Sequence, residues 1–134
     1  MSDSPFTTDA LYGADDLSST ELDSLPYGMI QLDSRGRILR YSQAETRLSG
    51  FTADECVGRD FFHQIAPCTN VQAFYGRFVD GVGAGQLDTV FNFRFAFVPP
   101  RDVRIHMFYS KVTRSVWVKV VDLGANGSEG PGVR

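Results

Sequence analysis

Cysteine and histidine are scarce in this sequence: Cys56 and Cys68, His63 and His106, and no more. The cysteines form no C-x-x-C motif, and the four side chains are too few for a Cys/His metal cluster at ordinary spacings. In a reducing compartment a disulfide between them is not expected. Basic charge is also short. Thirteen Lys and Arg against sixteen Asp and Glu give a net charge of −3, which argues against a strongly basic nucleic-acid binder. No apolar run is long enough to span a bilayer, so no membrane partner is expected. The opening MSDSPFTTDA has neither the basic nor the apolar region of a secretory signal. Gly81, Gly83 and Gly85 do not make a G-x-G-x-x-G turn, and no other phosphate loop is present. These absences leave the expectation of a cytoplasmic, soluble protein.

Aromatic residues are plentiful instead. Eleven Phe, five Tyr and one Trp make 13% of the 134 residues. At about 150 residues per domain the chain is one domain. A chain of this size buries roughly two-thirds of its unfolded surface and needs no metal or disulfide to fold. So many rings fill a large core or line an apolar pocket.

Residues 1–25 read as a thin helical lead-in, with Ser18 and Glu21 as a capping box and Leu17, Leu22 and Leu25 as its apolar edge. It is polar enough to dock loosely rather than build core. Residues 29–33 and 37–41 form a β-hairpin around Asp33-Ser34-Arg35-Gly36. Two further capping boxes follow, Ser42 with Glu45 and Thr52 with Glu55, opening short helices that stop at Gly50 and Gly58. Another turn of helix at 61–65 breaks at Pro67, leaving Cys68 in a loop. Phe74, Phe78 and Val82 recur at helical spacing from 71 to about 83. In residues 87–98, Phe91, Phe93, Phe95 and Phe97 alternate with other residues and give one aromatic strand face. Residues 99–102 read as a connection that is not strand. Two alternating strands follow, one carrying Val103, Ile105 and Met107, the other Val116, Val118 and Val120. Residues 123–134 are Gly-rich and expected to be disordered. Strands segregate from helices, so the class is α+β with an antiparallel sheet, one face covered by the helices of 42–85.

Few residues point to chemistry by themselves. Cys68 is either ordinary packing or a reactive thiol, and no Lys or Arg is close to it in sequence. Glu45 is accounted for by its capping box, and Tyr41 by a strand end packed on the core. His106 alternates with Ile105 and Met107 and is expected to face away from the apolar side. Arg94, Arg104 and His106 together read as a solvated sheet face. The residues leave a small domain with an aromatic interior, a loop cysteine, and a Tyr-Glu pair as candidate polar groups.

Several segments carry more. YGMIQLDSRGRILRYSQAE (27–45), VGRDFFHQIAPCTN (57–70), FYGRF (74–78), VFNFRFAF (90–97), VRIHM (103–107) and VWVKVV (116–121) resemble, in one collinear order over residues 25–121, the photoactive yellow protein family. The pairing of IAPC after GRDFF with YSQAE is its most specific element. The resemblance implies a PAS-like fold, with a five-stranded antiparallel sheet, helices on one face and an N-terminal helical cap on the other. It divides the chain into a cap (1–25), a core (26–122) and a tail (123–134). It implies a 4-hydroxycinnamic (p-coumaric) acid chromophore held by a thioester to Cys68 and buried as a phenolate. Tyr41 and Glu45 would donate hydrogen bonds to that phenolate, Glu45 as a buried neutral acid that later gives up its proton. Under this reading Glu45 points inward and does not close its capping box. Ser49 matches a supporting hydroxyl that is usually Thr. Phe51, Phe61, Pro67, Phe95 and Phe97 match pocket-lining positions.

The sequence also departs from the family. Phe51 stands where an Arg is usual, so a cation near the pocket is missing. Phe97 replaces a Tyr, and Val98-Pro99-Pro100-Arg101 lacks the Met associated with fast return to the dark state. Slow dark recovery is therefore expected. The implied function is that of a blue-light photoreceptor, not an enzyme. It would signal by contact to a downstream protein, as a monomer or weak homodimer, through trans-cis isomerisation, proton transfer and release of the cap. A PAS sensory or dimerisation module without chromophore is the alternative, and a cysteine enzyme or thiol redox sensor using Cys68 is the third class.

Overall fold

The computed structural model describes residues 13–96 and 100–124. Five strands run Gly28–Leu32 (β1), Ile38–Tyr41 (β2), Asp88–Phe95 (β3), Arg101–Ser110 (β4) and Ser115–Gly124 (β5). They form a single antiparallel sheet in the order β2-β1-β5-β4-β3. The helices are Ser19–Asp23 (α1), Gln43–Ser49 (α2), Ala53–Cys56 (α3) and Arg77–Ala84 (α4), with short tight or wide turns between them. This is the expected α+β arrangement.

Period-two alternation decides which face each side chain takes. Ile30 and Leu32 of β1, Val103, Ile105 and Met107 of β4, and Val116, Val118 and Val120 of β5 all point to the helix-covered face. There they meet Ile38, Phe61, Phe62, Phe74, Phe78 and Phe95 in the main core. Each fully buried large apolar side chain contributes about 1.5–3 kcal/mol. The rings interlock at their edges: Phe74 sits 5.2 Å from both Phe91 and Phe93, nearly perpendicular to each.

The opposite face carries a second, smaller core of Ala14, Leu22, Tyr27, Met29 and Trp117. The N-terminal segment thus builds core of its own, a correction to the loose docking expected of it. The Ser18–Glu21 capping box closes as anticipated.

Five other expectations need correction. Arg101 and Asp102 belong to β4, not to a connection, because they pair with Phe95 and Arg94 and the Arg94 guanidinium bridges to Asp102 at 2.9 Å. Leu123 and Gly124 continue β5 rather than starting the tail, since Gly124 pairs with Asp102. Cys68 lies in a single tight helical turn, Pro67–Thr69. His106 is buried, not solvated: it lies between Val90 and Lys119 on neighbouring strands and its Nε2 sits 2.6 Å from Asp88 Oδ1. The face bearing Arg94, Arg104 and His106 is therefore only partly solvated. The helical stretch from 71 is also split, a wide turn at Gln72–Gly76 preceding α4. Residues 1–12 of the cap, Phe97, and the tail from 125 lie outside the described residues.

Candidate functional site

Three Ser/Thr-x-x-Glu boxes occur in the chain, and only two of them close. Glu21 and Glu55 each reach back to the backbone N–H of Ser18 and Thr52 at 2.8 Å. Glu45 does not. Ser42 Oγ accepts the Glu45 N–H at 3.3 Å, but the Ser42 N–H is already bonded to the Met29 carbonyl at 3.0 Å. Ser42 Oγ also accepts the Met29 N–H at 2.9 Å, so the residue laces the start of α2 to β1 on both sides. The capping role is filled, and the Glu45 side chain turns inward.

The Glu45 carboxyl is 1% exposed, and neither oxygen has a hydrogen-bond partner. It rests against Gly28, where even a Cβ would collide with Oε1. Burial pushes its pKa from 4.5 up to about 8, and the nearby Asp122 charge pushes the same way. An orphaned buried carboxyl of this kind normally costs free energy, so it marks a place where a partner is missing or a function is stored.

Tyr41 lies at the end of β2 with its ring in the main core. Its hydroxyl sits 2.7 Å from Ser49 Oγ, which also accepts the Phe51 N–H at 3.1 Å. The C-terminal end of α2 is thereby tied to β2, and Gly50 at φ +86° closes that helix. Burial raises the Tyr41 pKa, the Glu45 charge adds to it, and the Ser49 hydrogen bond works against both. Cys56 is completely buried beside them, its thiol pushed up to about 11 chiefly by burial.

Cys68 approaches the same core from another side. Pro67 opens its turn, with a fixed φ suited to a first helical position. Thr69 pins the turn by donating both its backbone N–H and its hydroxyl to the Ala66 carbonyl, at 2.9 and 2.6 Å. The Cys68 thiol is half-buried, packs against the main core and accepts the Ala96 N–H at 3.4 Å. Phe61 is set by Asp60, whose carboxylate caps the wide turn at Phe61–Ile65 through the Phe62 and His63 N–H groups. Phe61 and Phe95 are buried in the main core and Phe51 packs against it. Pro67 is exposed and shapes the turn that carries Cys68.

Tyr41, Cys68, Phe51, Phe61 and Phe95, distant in sequence, thus meet at one core, with Ser49 and Glu45 at its Tyr41 end. The donor set fits a phenolic acyl group: a thiol for covalent attachment, aromatic walls, and a hydroxyl with an unpartnered carboxyl for the phenolic oxygen. Among the described residues no cluster of His, Cys, Asp and Glu could hold a metal, and no helix is long and apolar enough to cross a membrane. Sequence reasoning missed Gly28, Asp122 and the Ala96 N–H. Of these only Gly28 left a signal, as a glycine at a strand position.

A profile of the PAS fold family matches residues 18–119. The photoactive yellow protein of Halochromatium salexigens is 38% identical over 117 residues, covering 81% of this chain and 94% of that protein. That of Rhodothalassium salexigens is 39% identical over 106 residues, covering 78% and 85%. Among solved structures, the photoactive yellow protein domain from the sensor histidine kinase Ppr of Rhodospirillum centenum superposes with a TM-score of 0.78 at 45% identity, covering 81% of this chain and 96% of that one.

Proposed function

The chain belongs to the photoactive yellow protein family, built on the PAS fold, and we propose that it is a cytoplasmic blue-light photoreceptor whose pigment is p-coumaric acid bound through a thioester to Cys68. The observation that carries this reading is the Glu45 carboxyl, diverted from a capping box into the core and left without a partner. Tyr41 and Glu45 would hold the phenolic oxygen, Ser49 would orient Tyr41, and Phe51, Phe61 and Phe95 would pack on the ring. When bound, the group supplies a light-driven trans-cis isomerisation.

The chain's own residues convert that event into a structural change. Glu45 keeps its proton in the dark at neutral pH, because burial disfavours its charged form. Its O–H can then serve as a donor in a short charge-assisted hydrogen bond. Once Glu45 gives that proton up, a carboxylate remains with no cation or donor against it. An unpaired buried charge costs several kcal/mol, comparable with a total stability of about 5–15 kcal/mol. Local opening relieves the cost where the fewest apolar contacts are lost. Among the described residues the core under the N-terminal segment holds five buried side chains and is much smaller than the main core, so the cap is the part that opens. The opened cap is the signal to a downstream protein. A sensor histidine kinase is the class of partner suggested by the setting of the Rhodospirillum centenum domain.

Reconstitution with activated p-coumaric acid tests the reading. A visible band that bleaches after a blue flash and returns in the dark is expected. Protein absorption alone, from folded protein under conditions that acylate a control thiol, would overturn it in favour of a chromophore-free PAS module. The return is expected to be slow, because the segment after β3 lacks methionine.

A further inference from the structure

Gly28 opens β1 opposite Val120, and its backbone does not require glycine. Its φ is not in the left-handed region that Gly36 and Gly50 occupy. What matters is the missing side chain. A Cβ on Gly28 would stand 2.0 Å from Glu45 Oε1 and 3.2 Å from both the Glu45 carboxyl carbon and Val120 Cβ. The carboxyl therefore occupies the volume that any other residue at position 28 would fill. Gly28 and Val120 also line a cleft of about 190 Å³, together with Tyr27, Arg47, Arg101 and Asp122. The buried acid and the charged cleft share a wall made of a glycine and a valine.

We propose that Gly28 is the positioning residue for the Glu45 carboxyl, and that Glu45 exchanges its proton with solvent water through the cleft behind that shared wall. The inference builds on the reading of Glu45 as the acid of the photoreceptor. Its geometric basis is independent of any pigment.

The groups around Glu45 leave water in the cleft as the exchange partner. Tyr41 of β2 and Cys56 of α3 both hold their own protons through neutral pH, so neither accepts one. Asp122 of β5 is paired with Arg101 of β4 at 3.5 Å. Arg47, on the same helix as Glu45, joins Arg101 in lining the cleft. In the step itself the Glu45 O–H bond breaks and the proton passes to a cleft water. The carboxylate that remains faces the side of the molecule where these two cations lie. The return step delivers a proton from water to the same oxygen. Phe51 contributes no charge on the other side, and Arg47 and Arg101 lie across the wall rather than against the carboxylate, so its charge stays unpaired.

The test follows the C=O infrared band of the protonated Glu45 carboxyl, assigned with Glu45→Gln, after transfer of dark protein into D2O. It is run with and without pigment. In Gly28→Ala the new Cβ meets the end of a flexible side chain, so the fold is expected to survive while the carboxyl moves. Its band should shift, and exchange should slow by about tenfold or more. Ala44→Leu adds bulk from the lining of the cleft, in which Glu45 takes no part, and should slow exchange with the band unmoved. An unshifted band in Gly28→Ala would overturn the positioning role. Wild-type exchange in Ala44→Leu would overturn the route, and this variant decides it even if Gly28→Ala does not fold. Slowed exchange in protein that never takes up pigment would uphold this inference while overturning the photoreceptor reading.

Discussion

The indole N–H of Trp117, the single tryptophan of the chain, donates to Asp15 Oδ1 at 2.7 Å. Thr113 Oγ1 donates to the same oxygen at 3.1 Å, and the Ser110 hydroxyl donates to Asp15 Oδ2. One carboxylate from the N-terminal segment thus gathers three donors from β4, β5 and the turn between them. Trp117 is 1% exposed, so its N–H has no solvent to turn to if Asp15 is lost. Asp15→Ala should lower stability by about 1–3 kcal/mol through the unsatisfied donor. It should also shift the tryptophan emission, which then reports the docking of the cap directly. Unchanged emission and an unchanged urea midpoint would count against the clamp. In reconstituted protein the same emission should change on illumination if the cap is what opens.

Stability should fall as pH rises through neutrality. The folded pKa of Glu45 is raised from 4.5 to about 8, so between those values the folded state binds more protons than the unfolded state. The slope of unfolding free energy against pH is then negative. The contribution is complete below about pH 4.5 and lost as pH passes 8. Thermal unfolding of the pigment-free protein should give a Tm that declines over this window. Glu45→Gln should flatten the decline, and a parallel curve would place its origin elsewhere. Asp122→Asn should move the Glu45 titration to lower pH, because it removes a neighbouring negative charge.

Ser49→Ala removes the partner of a buried phenol. A cost of about 1–2 kcal/mol is expected, together with a further rise in the Tyr41 pKa, because the Ser49 hydrogen bond is what lowers it. Ser49→Thr keeps the hydroxyl and should restore both. Denaturant midpoints and ultraviolet titration of the phenol read the two effects separately, and a Tyr41 titration indifferent to Ser49→Ala would refute the link.

The two thiols should separate cleanly. Cys68 is half-buried and Cys56 fully buried. An alkylating reagent should modify Cys68 first in the folded, pigment-free protein. After reconstitution Cys68 should be protected and carry the added mass. Cys68→Ala should abolish the added mass and leave the fold intact, whereas Cys56→Ala should keep the mass and lower stability by about 1 kcal/mol. Acylation mapped to Cys56 by peptide mass spectrometry would contradict the assignment.

Much of this architecture was legible from neighbouring residues. The alternation of Val116, Val118 and Val120 names a strand face without reference to the rest of the chain. The boxes at Ser18 and Thr52 close within three residues, so nothing distant competes with them. Tyr41, Glu45 and Cys68 are a different case. Their separate local patterns suggested packing, a cap and a loop, and the motifs shared with a known family are what joined them.

Three features depended on contacts from elsewhere in the chain. Arg101 became strand because Phe95, across a connection, offered a pairing partner. His106 was buried because Asp88 and Lys119 closed around it from adjacent strands. Glu45 was released from its cap because Met29 had already taken the Ser42 N–H. Strand periodicity and helix caps act over a few residues and are written into the chain directly. The burial of a charge, and the empty space beside Gly28 that receives it, exist only once β1, β5 and the helix carrying Glu45 have come together.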